Sequence, residues 1–277
     1  MKKLGSSVIV LLLVAAGAGA FAQERTEGDR RPSCERFRLV FLTGIAVANP
    51  DYYVHWPAYS SNQACFAKEY DMPFLPWVGI SPRLLTVEPL HPMYTADLGT
   101  GKTVADLGPW RMTEGIKSLG DLRNWPSKAE TTEQLKRLGS AVTVKAVVRL
   151  ARPLSEDEVR DIASDPEVFL YAPQNDEAKA IGWDSGSSGN TCAGLRGFDF
   201  CAEAKSATDS FRKWVSMLRP GDEPALQELG LSLPELQEQA ADMRVHGIIL
   251  RDGSEAMLRI LSDPKVSAMS IADIQVF

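Results

Sequence analysis

The chain has 277 residues, 44% of them hydrophobic and 24% charged, with a net charge of −6 at pH 7. An acidic balance with no Lys/Arg-rich run argues against a nucleic-acid partner, because phosphate neutralisation supplies most of that affinity. The length suits one large domain or two small ones.

Met1-Lys2-Lys3 leads into the apolar run VIVLLLVAAGAGAFA, and Ala20-Phe21-Ala22 precedes Gln23. Residues 1–22 therefore have the layout of a secretory signal, and the same stretch is long enough to act as an uncleaved N-terminal anchor. In either form the lysines hold the N-terminus inside, so the rest of the chain is expected outside the cytoplasm: secreted, periplasmic or on the outer face of the membrane. Loss of Lys2 and Lys3 with the signal makes the chain two units more negative. Residues 23–33, QERTEGDRRPS, are polar and aperiodic and read as a tether.

Residues 34–139 read as an irregular Pro/aromatic-rich lobe followed by a helical connector. CERFRLVFLTGIAVA opens it, and its apolar run predicts a strand near Phe37–Leu42. From Asn49 to Pro92, prolines such as Pro57, Pro73, Pro76 and Pro82 leave no room for a long helix. Tyr52, Tyr53, Trp56 and Trp77 belong to the aromatics that crowd the same stretch. They read either as filling for a small core under loops or as a platform for glycan or peptide.

The stretch ADLGTGKTVADLG, Ala96 to Gly108, approximates a phosphate-binding loop, with Ala96 at the first glycine position. That loop requires a buried strand before it and a helix after it. Pro92 upstream and Gly108-Pro109 downstream deny both, so no nucleotide is expected. The reading is punctuation: two Asp-Leu-Gly turns around a short edge strand that includes Thr103 and Val104. In the connector, Ser127 and Glu130 form a capping box, Leu135 and Leu138 share a face, and Gly139 marks the stop.

Residues 140–277 carry an internal repeat. VVRLARPLSEDEVRDIASDPEVFLYA from Val147 parallels IILRDGSEAMLRILSDPKVSAMSIAD from Ile248. Each copy reads as strand, Ser-Glu helix start, Ser-Asp-Pro-x-Val and second strand, with Ser155 to Glu158 as a capping box in the first. One unit cannot bury both its strands and its helix. Two can, as a four-stranded antiparallel sheet with both helices on one side and the other face meeting the N-terminal lobe. The predicted class is α+β, a ferredoxin-like βαββαβ domain. Residues of about 173–242 separate the units as a helical insertion. It is predicted to open on the loop GWDSGSSGN, with helices near Glu203–Leu218, Glu223–Leu229 and Leu233–Met243. Ser232 and Glu235 supply another expected capping box.

Four cysteines follow the signal: Cys34, Cys65, Cys192 and Cys201. An even number in an exported chain points to disulfides. Three pairings are possible, and the most local, Cys34–Cys65 with Cys192–Cys201, is the expected one. No Cys-x-x-Cys spacing supports a zinc ribbon or a thioredoxin-like site.

No catalytic, cofactor-binding or metal-binding residue is assigned. His55, His91 and His246 lack ligand spacing. The serines of residues 185–188 lack the Gly-x-Ser-x-Gly elbow. Glu156, Asp157 and Glu158 sit in a helix's first turn, where acids favour the dipole.

VHGIILRDGSEAMLRILSDPKVSAMSIAD, about 30 residues by order of magnitude of a strand–helix–strand unit, resembles the inhibitory prodomains of subtilisin-type proteases. The resemblance implies inhibition in trans, with the tail Asp273-Ile274-Gln275-Val276-Phe277 entering a protease cleft. The main expectation is a non-catalytic interaction or regulatory module of the cell envelope that binds another exported protein. The alternatives are that inhibitor and a glycan-binding protein or enzyme sited in the aromatic lobe.

Overall fold

A computed structural model describes residues 38–55, 77–85, 94–97, 102–104, 111–121, 123, 125–173, 180–185 and 204–276. The chain is a mixed helix-and-sheet fold with a five-stranded antiparallel sheet. The signal or anchor, the tether, Trp56 and all four cysteines lie outside the described residues.

The first described segment corrects a prediction. Arg38–Leu42 is one π turn running into helix α1, Thr43–Ala48, instead of a strand. Leu39, Val40, Phe41 and Leu42 are each buried, so no polar face existed to reveal a helical period. The indole Nε1 of Trp214 donates to the Leu39 carbonyl at 2.8 Å, fixing this turn against a segment far along the chain.

Strands β1 (Tyr52–His55), β2 (Trp77–Pro82), β3 (Tyr94–Asp97) and β4 (Lys102–Val104) form a four-stranded sheet in that order. All three pairings are antiparallel. Helix α2 (Arg111–Lys117) and a 3-10 turn (Ser118–Gly120) lead to α3 (Lys128–Leu138). The capping box of α3 forms as expected: Glu130 N–H donates to Ser127 Oγ, and the Glu130 carboxylate accepts from Ser127 N–H.

The larger sheet runs β7-β6-β8-β5-β9. Its strands are β5 (Val142–Leu154), β6 (Val168–Pro173), β7 (Ala180–Asp184), β8 (Val245–Gly253) and β9 (Val266–Val276). Strand β7 replaces the start of the predicted loop. Its residues are all buried, and a Cβ on Gly182 would lie 2.3 Å from the Cβ of Pro50. Gly182, the first residue of that predicted loop, allows the close approach of Pro50. Helix α4 (Glu156–Arg160) follows β5, and α8 (Ser254–Ser262) follows β8. Between β7 and β8 lie α5 (Ala207–Met217), α6 (Glu223–Glu228) and α7 (Leu233–Asp242). Ser232 stands at the N-cap of α7, but its side chain makes no cap bond; Glu223 instead accepts from Leu233 N–H at 2.7 Å.

Alternation along the strands separates two cores. Ala146, Val148, Phe169, Tyr171, Ile248 and Leu250 point into the larger one, with Val159 of α4 and Met257 and Ile260 of α8. The same core takes Phe211 and Trp214 of α5, and Leu39 to Ala48 of the first segment, so it crosses residue 139 without a break. Trp183, Phe211, Trp214 and Tyr171 stack in it with ring centroids 5.2 to 5.7 Å apart. On the opposite face Val147, Val168, Leu170 and Ile249 pack under Met112 and Ile116 of α2 and Leu119. No helix among the described residues is long and apolar enough to cross a membrane.

Candidate functional site

The second face of the sheet carries a set of buried charges that sequence reasoning missed. Lys145 of β5 is 1% exposed; its Nζ donates to Glu167 Oε2 at 2.9 Å and to the Tyr53 hydroxyl at 3.2 Å. Tyr53 of β1 also donates to Glu167 Oε2 at 3.3 Å. Arg83, just after β2, pairs through Nη2 with Asp184 at the end of β7, and its guanidinium lies 4.4 Å from the Tyr53 ring centroid. Asp51 accepts from Thr113 Oγ1 of α2. The Asp273 carboxylate of β9 accepts from Leu85 N–H at 2.7 Å.

The contacts of Tyr53 with Lys145 and Glu167, of Arg83 with Asp184 and of Leu85 with Asp273 join the segments before residue 120 to the larger sheet, while Asp51–Thr113 ties two of those segments to each other. The alternation of β5 brings Lys145 to the same face as Val147. The Glu167 backbone is tied to β8 by its N–H, which donates to the Ile249 carbonyl at 2.8 Å. Lys145 with Glu167 and Arg83 with Asp184 compensate each other, as burial demands. Nε and Nη1 of Arg83 are buried and meet no acceptor among the described residues. A cavity of about 10 Å³ lies beside Asp184, lined by Thr43, Pro50, Val168 and Gly182 among others. That is room for about one water molecule. The seam pins one part of the chain to another.

A second polar junction is built on Glu156, which is 8% exposed. Its carboxylate accepts from Thr208 N–H at 2.9 Å and Ala207 N–H at 3.3 Å, at the start of α5. Arg160 donates to it at 2.8 and 3.1 Å. Burial pushes this carboxyl up, but the bonds from Thr208, Arg160 and Ala207 outweigh it and hold it below the ordinary glutamate value. Sequence placed Glu156 only as a dipole-complementing acid of its own helix. It serves the dipole and the unpaired amides of a helix 51 residues away. Glu158 does cap its own helix: the Ser155 backbone, then Arg152, hold it down to about 2.

The remaining candidates disperse. Tyr52 is buried in the larger core at 2% exposure, and Tyr53 belongs to the charged seam. Trp77 lies in β2, while His91 and residues 186–188 fall outside the described residues. His246 is half-buried in β8; burial pushes its imidazole down, Asp242 opposes this and Arg149 adds to it. Lys102 and Thr103 lie in β4, paired with Asp97 and Ala96 of β3. A phosphate loop needs those residues to open a helix, whereas Lys102 and Thr103 lie in a strand. Among the described residues no group of three or more His, Cys, Asp or Glu side chains is placed to hold a metal.

Among the described residues the surface has one apolar corner. Ile274 and Val276, at the end of β9, are the exposed large hydrophobics among the described residues, at 39% and 74%. They pair with Val144 and Val142 of β5 and so share one face of the sheet. No family model, no curated protein and no solved structure matches the chain.

Proposed function

We propose that the chain is an exported, non-catalytic protein-interaction or regulatory module of the cell envelope, built on a ferredoxin-like βαββαβ sheet. The strand order β9-β5-β8-β6 supports the fold reading: two strand–helix–strand units interleave, β7 extends one edge, and α5 to α7 form the insertion. The apolar corner of Ile274 and Val276 carries the functional reading, since exposed apolar side chains grouped at a sheet edge suit a protein contact. The charged residues of the seam are engaged with each other, which suits a structural role for them.

A photo-crosslinking side chain placed at Val276 in producing cells tests the reading. A reproducible protein adduct, lost on Ile274→Asp, is expected. Absence of any adduct under conditions where the chain is folded and exported sinks it. The inhibitor alternative has less support, because Asp273 to Val276 is paired along β5 and must peel away to enter a cleft.

A further inference from the structure

We propose that Lys145 and Glu167 condense, once the chain has folded, into an amide between their side chains. Lys145 lies in β5, between β8 and β9, and is 1% exposed. Its Nζ donates to Glu167 Oε2 at 2.9 Å and to the Tyr53 hydroxyl at 3.2 Å. Oε2 is bonded to Cδ, so Nζ lies at most about 4.1 Å from the carbon to be attacked. Both backbones are held. Lys145 is in register with Arg251 of β8 and Asp273 of β9. The Glu167 N–H donates to the Ile249 carbonyl at 2.8 Å, and the Glu167 carbonyl accepts from Ser185 N–H at 3.0 Å. Oriented intramolecular partners react as though each were present at up to about 10⁵–10⁸ M. That confinement favours the amide here as it does for no pair free in water.

Tyr53 supplies the proton path. Its hydroxyl accepts from Nζ and donates to Glu167 Oε2 at 3.3 Å, so both routes from the nitrogen end on one oxygen. An ammonium has no lone pair, so one proton first crosses directly from Nζ to Oε2, the shorter of the two paths. The freed nitrogen then bonds to Cδ. A second proton passes from Nζ to the Tyr53 oxygen while the tyrosine's own proton moves to Oε2. The Cδ–Oε2 bond breaks with its electron pair on that oxygen, which leaves as water. Oε1 becomes the amide carbonyl, the third proton stays on nitrogen, and Tyr53 ends unchanged. The step is a dehydration whose balance needs no co-reactant. The Arg83 guanidinium, 4.4 Å from the Tyr53 ring centroid, helps to hold the phenol in place.

Two observations set this pair apart from an ordinary ion pair. Buried ions are costly to keep, and the amide removes both charges at once. Glu167 is also engaged through Oε2 alone. Its Oε1 is not among the buried polar atoms that lack a partner, so it reaches solvent and gives the released water a way out. Lys136 and Glu133 make the contrast: 3.8 Å apart and each 61% exposed, they are hydrated, and burial gives them no reason to condense. The product links residues 22 apart, closes a ring around α4, and ties β5 to the start of β6 across β8.

Mass spectrometry of the chain purified folded from producing cells, with any disulfides reduced, tests this. The expected mass is one water below that of the sequence counted from its observed first residue. A tryptic digest is expected to contain a branched peptide that joins Lys145 to Glu167. A chain collected as inclusion bodies and kept in urea is expected at full mass, and to lose the water as it refolds. Lys145→Arg keeps the cation and should stay at full mass. Tyr53→Phe should slow the loss during refolding by on the order of 100-fold or more. A folded wild type at full mass with no branched peptide overturns the proposal. A folded Tyr53→Phe that condenses as fast as wild type overturns the proton path through the tyrosine. The deciding measurement is made on the wild type, so it stands even if a variant fails to fold. Its failure leaves the interaction reading untouched, because that reading is tested at Val276.

Discussion

Replacing Glu156 with alanine should destabilise the fold far more than its place on a five-residue helix suggests. The substitution strands the N–H groups of Ala207 and Thr208 at the start of α5 and removes the partner of Arg160. Ser206 still serves Asp209 N–H, so two of the first-turn amides lose their acceptor and not three. Hydrogen bonds to a charged group contribute roughly 1.5–3 kcal/mol each, and stranding a buried amide costs about 1–3. Arg160 has a side chain 35% exposed and can hydrate, which returns part of the loss. The expected net cost is about 2–4 kcal/mol at pH 7. For a chain of this size that lowers the melting temperature by roughly 5–12 °C. Glu156→Gln keeps one acceptor and should lose about half as much. The control is Glu255, which follows the matching serine in the first turn of α8 in the second unit and is exposed; Glu255→Ala should stay within about 0.5 kcal/mol of wild type. Thermal unfolding followed by circular dichroism reads all three. If Glu156→Ala melts within the range of Glu255→Ala, the bridge to α5 contributes nothing and the reasoning fails. The pH dependence has a definite sign: the folded carboxyl titrates below its ordinary 4.5. Its stabilisation is therefore present above that value and lost as pH falls through the folded pKa. Glu156→Gln should flatten that acid limb.

Other outcomes follow from the same geometry. His246 titrates lower in the fold than in the unfolded chain, so stability present above about pH 6.5 should decline as pH falls toward the folded pKa. His246→Gln should reduce the difference between melting at neutral and mildly acid pH. Lys145→Met leaves Glu167 buried without its cation and should cost about 3–5 kcal/mol, while adding Glu167→Gln should recover a large part; additive losses in that cycle would deny the coupling. Gly182→Ala puts a Cβ 2.3 Å from Pro50 Cβ and 2.9 Å from Val168 Cγ1 and should cost about 1–3 kcal/mol or more, visible as a lower urea midpoint.

What the sequence made legible was local. The boxes at Ser127 and Ser155 need only residues three apart, and both formed. The box at Ser232 has the same spacing but its side chain makes no cap bond, and the N–H of Leu233 beside it is satisfied by Glu223, ten residues upstream of Leu233. The apolar run at Leu39 to Ala48 is ambiguous in principle, because a segment buried on all sides shows no period. The repeat was legible as a pattern but not in phase. Matching Val147 to Ile248 puts a residue of the smaller core against one of the larger. An even offset is needed to keep faces, and the irregular stretch between Arg149 and Leu154 of β5 hides it. The charged seam left a weaker trace: Lys145 interrupts VTVKAVV and Asp184 ends AIGWD, each a charge in an apolar strand. Such interruptions mark buried ions, but their partners lie 22 and 101 residues away, a distance no local pattern spans.

The place of β5 between β8 and β9 sets the order in which this chain can acquire structure. Neither neighbour of β5 exists until roughly a hundred further residues have been added, and the last to arrive is the final strand. The pieces from Leu39 to Ala48 likewise wait for Trp214. A growing chain thus cannot close the larger sheet early, and closing such distant pairs is slow. The price is a long interval with apolar strands unpaired, in which such a chain is open to misassembly. Until β9 is added, β5 keeps one edge without its partner, and β9 then completes the pairing of β5 from Val142 to Leu150.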